Sequence, residues 1–153
     1  MIRVHSRVPG RRAPRKFLTR LLDGALRRRF GRARPGRVSV DLLLLDDPAI
    51  RLLNRRHTGE NRPTDVLAFP DGEIDPGDGR RHLGDVAVSL ETASREAGLR
   101  RVPVRHEVAL YAIHGLLHLL GLEDKTAKGR AAMREAERSE LARHGILPHW
   151  EPE

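Results

Sequence analysis

Residues 103–121 read PVRHEVALYAIHGLLHLLG, and this stretch decides the architecture. Pro103 suits the first turn of a helix, and Gly121 suits the turn that follows one. Between them apolar residues fall on nearly every side, so the pattern predicts a long helix over Pro103–Leu120 at the centre of the protein rather than on its surface. The longest unbroken apolar run, Val108 to Ile113, is six residues. A membrane-crossing helix needs roughly 18 or more, so no membrane span is expected.

Working outward, Thr126 to His144 reads as an amphipathic helix closed by Gly145. Before the central helix, Glu91 to Ala97 predicts a short helix ended by Gly98, and Leu83 to Leu90 a strand with alternating Val86 and Val88. Asp71 to Gly79 carries only turn chemistry, and Thr64 to Phe69 is a second strand. Asp46, Asp47 and Pro48 form a helix start, with an acidic cap and proline in the first turn. That helix should stop before Thr58 and Gly59. Arg37 to Leu45 (RVSVDLLLL) begins by alternating and ends in a leucine run, the mark of a strand buried on both faces towards its end. After Pro14, Phe17, Leu18, Leu21, Leu22, Ala25 and Leu26 share one helical face, with Gly31, Pro35 and Gly36 beyond. Ile2 to His5 suits a short strand. With no internal repeat or linker, the expectation is a single α+β (mixed α/β) domain over residues 1–153.

Composition narrows the chemistry. There is no cysteine, which excludes disulfides, thiolate metal sites, iron–sulfur clusters and cysteine nucleophiles. Aromatic content of 3% argues against an RNA binder that stacks bases on aromatic platforms. The chain has 29 basic and 21 acidic residues, but residues 1–37 hold 13 of the basic ones against a single acid, Asp23. A basic end on a mildly acidic body points to a docking surface for a polyanion. Residues 1–36 contain no continuous apolar segment of the secretory kind, so a soluble cytoplasmic protein is expected.

The chemistry concentrates in HGLLHLLGLED, residues 114–124. His114 and His118 are four apart on the predicted helix, so both imidazoles leave the same face one turn apart, the arrangement in which two nitrogens grip one ion. Gly121 can turn the chain back and bring Glu123 or Asp124 within reach of that ion. Two imidazoles, a carboxylate and an open position outline a catalytic zinc site. A zinc peptidase would carry glutamate directly after the first histidine as its general base; that position is Gly115. A metal-activated water can still attack a phosphodiester.

HGLLHLLG resembles the signature of the YbeY family of bacterial rRNA maturation factors, metal-dependent endoribonucleases acting on single strands. Leu53-Asn54-Arg55 with Arg62-Pro63-Thr64-Asp65-Val66-Leu67-Ala68-Phe69-Pro70 is similar to the family's LN-R and KPTDVLSFP block. Leu83-Gly84-Asp85-Val86-Ala87-Val88-Ser89 is similar to its LGDI-IS strand. Three blocks in order cover roughly residues 38 to 125. The resemblance implies a mixed sheet of about four strands wrapped by helices, with a metzincin-like metal site on the central helix. It implies one zinc per chain, His114 and His118 as the catalytic imidazoles, and a role in maturing the end of small-subunit rRNA and in ribosome quality control. Its partners would be RNA and the ribosome, with ribosomal proteins or a ribosome-associated GTPase alongside.

Two positions depart from the family pattern. Its third ligand is usually a histidine, and an ungapped match puts Asp124 there, giving a His114, His118, Asp124 set. Its RNA-contacting arginine is replaced by Thr58, leaving Arg55, Arg56 and Arg62 nearby to supply charge. Arg15, Arg20, Arg27 and Arg28 on the first helix are expected to dock phosphates. Glu107, two turns before His114, is the candidate to hold a ligand imidazole from behind. The competing reading is a non-catalytic, ribosome-associated RNA-binding factor with a weakened or structural metal site. Asp65 and Asp85 are expected to pair with an arginine or cap a turn, and Trp150 to pack the tail onto the body.

Overall fold

The computed structural model of the chain describes residues 1–30 and 37–149. Trp150 and the punctuation at Gly31, Pro35 and Gly36 lie outside the described residues. Among the described residues nine elements follow in chain order: β1 (Ile2–Ser6), α1 (Arg15–Arg29), β2 (Val38–Leu45), α2 (Asp47–Thr58), β3 (Val66–Pro70), β4 (Arg81–Ser89), α3 (Leu90–Arg100), α4 (Val104–Leu119) and α5 (Ala127–Ala142). The strands form one mixed sheet in the order β1-β2-β4-β3. β1, β2 and β4 run parallel, and β3 closes the edge antiparallel to β4.

The leucine run of β2 is divided between two cores. Val40, Leu42 and Leu44 join α1, α4 and α5 on one face, while Leu43 and Leu45 join Ile50 and Leu53 of α2 on the other. Along β4, Val86 and Val88 face the first core and Ala87 the second. Strand periodicity alone produces this division. α4 is the central helix, with every residue from Glu107 to Leu117 buried except His114.

Gly115 allows α4 to lie this close to the sheet. A Cβ at this position would stand 2.4 Å from Val86 Cγ1 and 3.2 Å from Val66 Cγ2. The residue that excludes a peptidase base therefore has a packing reason of its own. Gly115→Ala is expected to lower stability by about 1–3 kcal/mol through overpacking, seen as a lower urea midpoint at unchanged m-value.

Most predicted boundaries hold within a residue or two. Asp46 caps α2 by accepting from Ala49 N at 2.9 Å. Thr58 belongs to that helix, its hydroxyl bonded back to the Asn54 carbonyl at 2.8 Å, and Gly59 in the left-handed region stops it. Gly98 does not end α3. The helix runs on to Arg100, and Arg101 adopts the left-handed cap at φ 58°. Pro103 sets the limit, because it disfavours helical backbone at the residue before it.

A buried carboxylate anchors α5 to α1. Glu140 of α5 receives Arg28 Nε at 2.9 Å and Arg29 Nε at 3.0 Å. Its burial favours the neutral acid, but the Arg28 bond and charge and the adjacent Arg29 outweigh this and hold its pKa below the ordinary 4.5. A depressed carboxylate pKa contributes stability that is present above the unfolded-chain value and disappears as pH falls through the folded one. Glu140→Gln is therefore expected to cost about 2 kcal/mol at neutral pH. Its deficit against the parent should shrink as urea titrations move below pH 4.5.

Candidate metal centre

α4 brings His114 and His118 to one partly exposed face of its second half, between residues that are buried. The chain then reverses at Gly121, whose φ is 97°. Leu122 N bonds back to the Leu117 carbonyl at 3.0 Å, the wrap that closes a helix with glycine. This turn returns Asp124 over the two rings. His118 Nε2 lies 3.0 Å from His114 Nε2, and Asp124 Oδ2 lies 3.5 Å from the His114 nitrogen and 3.6 Å from that of His118.

That triangle fits a divalent cation. Tetrahedral zinc with bonds of about 2.0–2.1 Å separates neighbouring ligand atoms by about 3.3–3.4 Å, close to the three distances found. Glu123, the other carboxylate within reach by sequence, instead lines a groove beside the cluster.

The group behind His114 is Glu137, not Glu107. Glu137 projects from α5, is 3% exposed, and its Oε1 stands 2.6 Å from His114 Nδ1. Glu107 is turned away to Arg100, which donates to its Oε1 at 3.3 Å, and it faces Tyr111, whose pKa burial and the Glu107 charge push up. Two turns of helix do place Glu107 near the His114 face, but an imidazole already held by α5 leaves it no role there. The residue sequence reasoning missed lies 23 positions downstream of His114, where no local spacing could reveal it. Burial of His114 works against its protonated form. The Glu137 hydrogen bond and charge outweigh this, Asp124 and Asp65 add to them, and the pKa is raised.

Two grooves meet at His114. One of about 630 Å³ runs past Pro63, Thr64, Arg95, Arg100 and Tyr111; the other, of about 360 Å³, passes Leu67, Ala68, Pro70, Gly115 and His118. Asp65 and Val66 border both. Asp65 caps the start of β3, accepting from Val66 N at 2.8 Å. Asn54 fastens the preceding loop by donating to the Arg62 carbonyl at 3.0 Å, which explains the asparagine inside the LN-R block.

The arginines divide into committed and uncommitted. Arg28 holds Glu140, Arg27 pairs with Asp23 at 2.8 Å, and Arg15 gives Nη1 to the Val4 carbonyl at 2.7 Å. Arg20 is exposed on the same helix. Arg62 pairs with Glu60 at 2.7 Å, while Arg55 and Arg56 are exposed in the last turn of α2. The hydroxyl of Thr58 is occupied by Asn54 and by Glu60 N.

Asp85 pairs with a histidine rather than an arginine, taking His82 Nε2 at 2.8 Å. His82 also lies 3.6 Å from Asp41, and His5 reaches Asp41 at 2.9 Å. Asp41, His82 and Asp85 are within ligand distance of one another, but both Asp41 oxygens already receive the Arg3 guanidinium, at 2.8 and 2.9 Å. The internal cation there is arginine. Among the described residues, no helix is long and apolar enough to cross a membrane.

The sequence model of the family described as Endoribonuclease YbeY matches residues 12–145. A relative from Rhodopseudomonas palustris with that description is 40% identical over 113 residues, covering 72% of this chain and 60% of its own length. Another from Moorella thermoacetica is 43% identical over 119 residues, covering 72% of this chain and 76% of its own. Among solved structures, a Thermotoga maritima protein determined in solution aligns with a TM-score of 0.61 at 25% identity, over 95% of this chain and 92% of that one.

Proposed function

The chain belongs to the YbeY endoribonuclease family, and from that premise we propose that it is a metal-dependent endoribonuclease cutting single-stranded RNA. In this reading residues 1–153 form one such domain, acting in the cytoplasm on small-subunit rRNA at its maturing end and on defective ribosomes. The observation that carries the reading is the spacing of 3.0, 3.5 and 3.6 Å among His114 Nε2, His118 Nε2 and Asp124 Oδ2.

His114, His118 and Asp124 would hold one zinc ion. Bound there, the ion supplies Lewis acidity towards a phosphoryl oxygen and towards an attacking water. The chain's own groups prepare the site. Glu137 accepts the Nδ1 proton of His114, which leaves the Nε2 lone pair facing the cluster and fixes the ring. Asp124 contributes a harder oxygen than the family's usual imidazole, so a less tightly bound zinc than in a three-histidine site is expected. Asp65 stands where both grooves meet, so a strand lying along them passes its phosphodiester across the cluster. Arg55, Arg56 and Arg62 flank the loop that forms one wall, and take the docking role that Thr58 does not.

The test is cleavage of a single-stranded and a duplex RNA of the same sequence, with metal content measured on the same preparation. The reading requires about one equivalent of zinc and cutting confined to the single strand, lost on chelation and restored by zinc. RNA binding by a folded, metal-free protein that never cuts would support the non-catalytic factor instead.

A further inference from the structure

The grooves around His114 are not basic. They are bordered by Asp65, Glu96, Glu123 and Glu137 against Arg95 and Arg100, and Arg95 is itself paired with Asp47 at 2.7 Å. The side chains at the centre therefore do not attract a polyanion by themselves. A third pocket differs. It has a volume of about 370 Å³ and lies on the other side of α3, between the segment before α1 and the start of α4.

Its charged residues are Arg11, Arg12 and Arg105, with no acid in its lining among the described residues, and Leu90, Val104 and Val108 give it an apolar floor. Arg11 gives Nη1 to the Ser94 hydroxyl. Arg12 and Arg105 are exposed and have no carboxylate partner among the described residues. Val104 is 41% exposed, so the apolar surface is open. From Pro14 at the pocket's edge a basic stripe runs into α1 through Lys16 and Arg20, both exposed and one helical turn apart.

We propose that this pocket is a second RNA-binding site, in which Arg11, Arg12 and Arg105 take consecutive phosphates of a single strand and the apolar floor takes a base. The proposal rests on the RNA reading of the metal centre and extends it. Charge without acids selects a polyanion, and the stripe along α1 favours a long one over a small free anion. The site stands apart from the chemistry: Val108 precedes His114 by six residues, about 9 Å along the α4 axis, and α3 separates the two. It would hold the strand while the centre cuts elsewhere along it.

Fluorescence anisotropy of a labelled oligouridylate with the chelated full chain, over a range of salt, tests this. Arg12→Ala combined with Arg105→Ala is expected to weaken binding about tenfold at low salt. The slope of log affinity against log salt should drop by about 1.4, since each single-strand phosphate contact contributes about 0.7. A thermal melt confirms that these two exposed positions leave the fold intact. Equal affinity and slope in parent and variant overturn the pocket and leave the metal centre untouched. Oligoglutamate that binds through these arginines without displacing RNA also overturns it, by assigning the pocket to an acidic peptide. RNA binding that depends on the two arginines in a protein that cuts nothing with zinc present supports the pocket while the reading of the centre fails.

Discussion

His118→Ala is expected to empty the metal centre and abolish RNA cleavage while leaving the protein folded. The ring is one of the three groups proposed to hold the ion and stands 3.0 Å from its neighbour His114. Loss of a partner behind a ligand typically costs 10–100-fold in metal affinity, so loss of a ligand itself should cost more. Zinc bound stoichiometrically to the parent should fall below detection after dialysis, and cleavage should fall to background. His118 lies at the partly exposed end of α4, outside the core that the helix forms with β2 and β4, so the urea midpoint should stay close to the parent's. A variant that loses zinc yet cuts at the parent rate would show that the three-residue cluster is not the reacting centre.

Glu137→Ala carries the second large effect. Glu137 never enters the proposed coordination set, but its carboxylate at 2.6 Å from His114 Nδ1 decides which nitrogen carries the proton and how the ring stands. Without it, the metal dissociation constant measured by chelator competition should rise about 10–100-fold. Glu137→Gln, which keeps an acceptor oxygen but removes the charge, should fall between the two. Nitrogen chemical shifts of the imidazoles report the tautomer directly, and a merely structural role would leave them unchanged. Glu107→Gln should leave both readings where they are, because Glu107 faces Arg100 and Tyr111.

The contrast between these two glutamates shows what a sequence can express. The pairing of His114 and His118 was legible because four residues of helix place them together, and the return of Asp124 followed from a glycine that must turn the chain. These are local facts, fixed by helical geometry and by positive φ at Gly121. Glu137 depends on how α5 packs across α4, and the network of His5, Asp41, His82 and Asp85 depends on the register of three strands. No spacing within a segment contains that information. The arginines show the same limit. Composition placed a strong positive charge at residues 1–37, yet only the packed structure reveals that Arg27 and Arg28 neutralise acids of the fold, while Arg12 and Arg105, remote in sequence, border one pocket. Among the helices, Gly98 was a plausible stop by type, but Pro103 sets the actual limit.

The central claim is that three atoms, His114 Nε2, His118 Nε2 and Asp124 Oδ2, share one cation. A crystal structure of the zinc-loaded protein measures this most directly. The expected result is a single ion with all three atoms at about 2.0–2.2 Å and one position left to solvent or phosphate. An ion seated instead at Asp41, His82 and Asp85, or bound by the two imidazoles with Asp124 turned away, would contradict it.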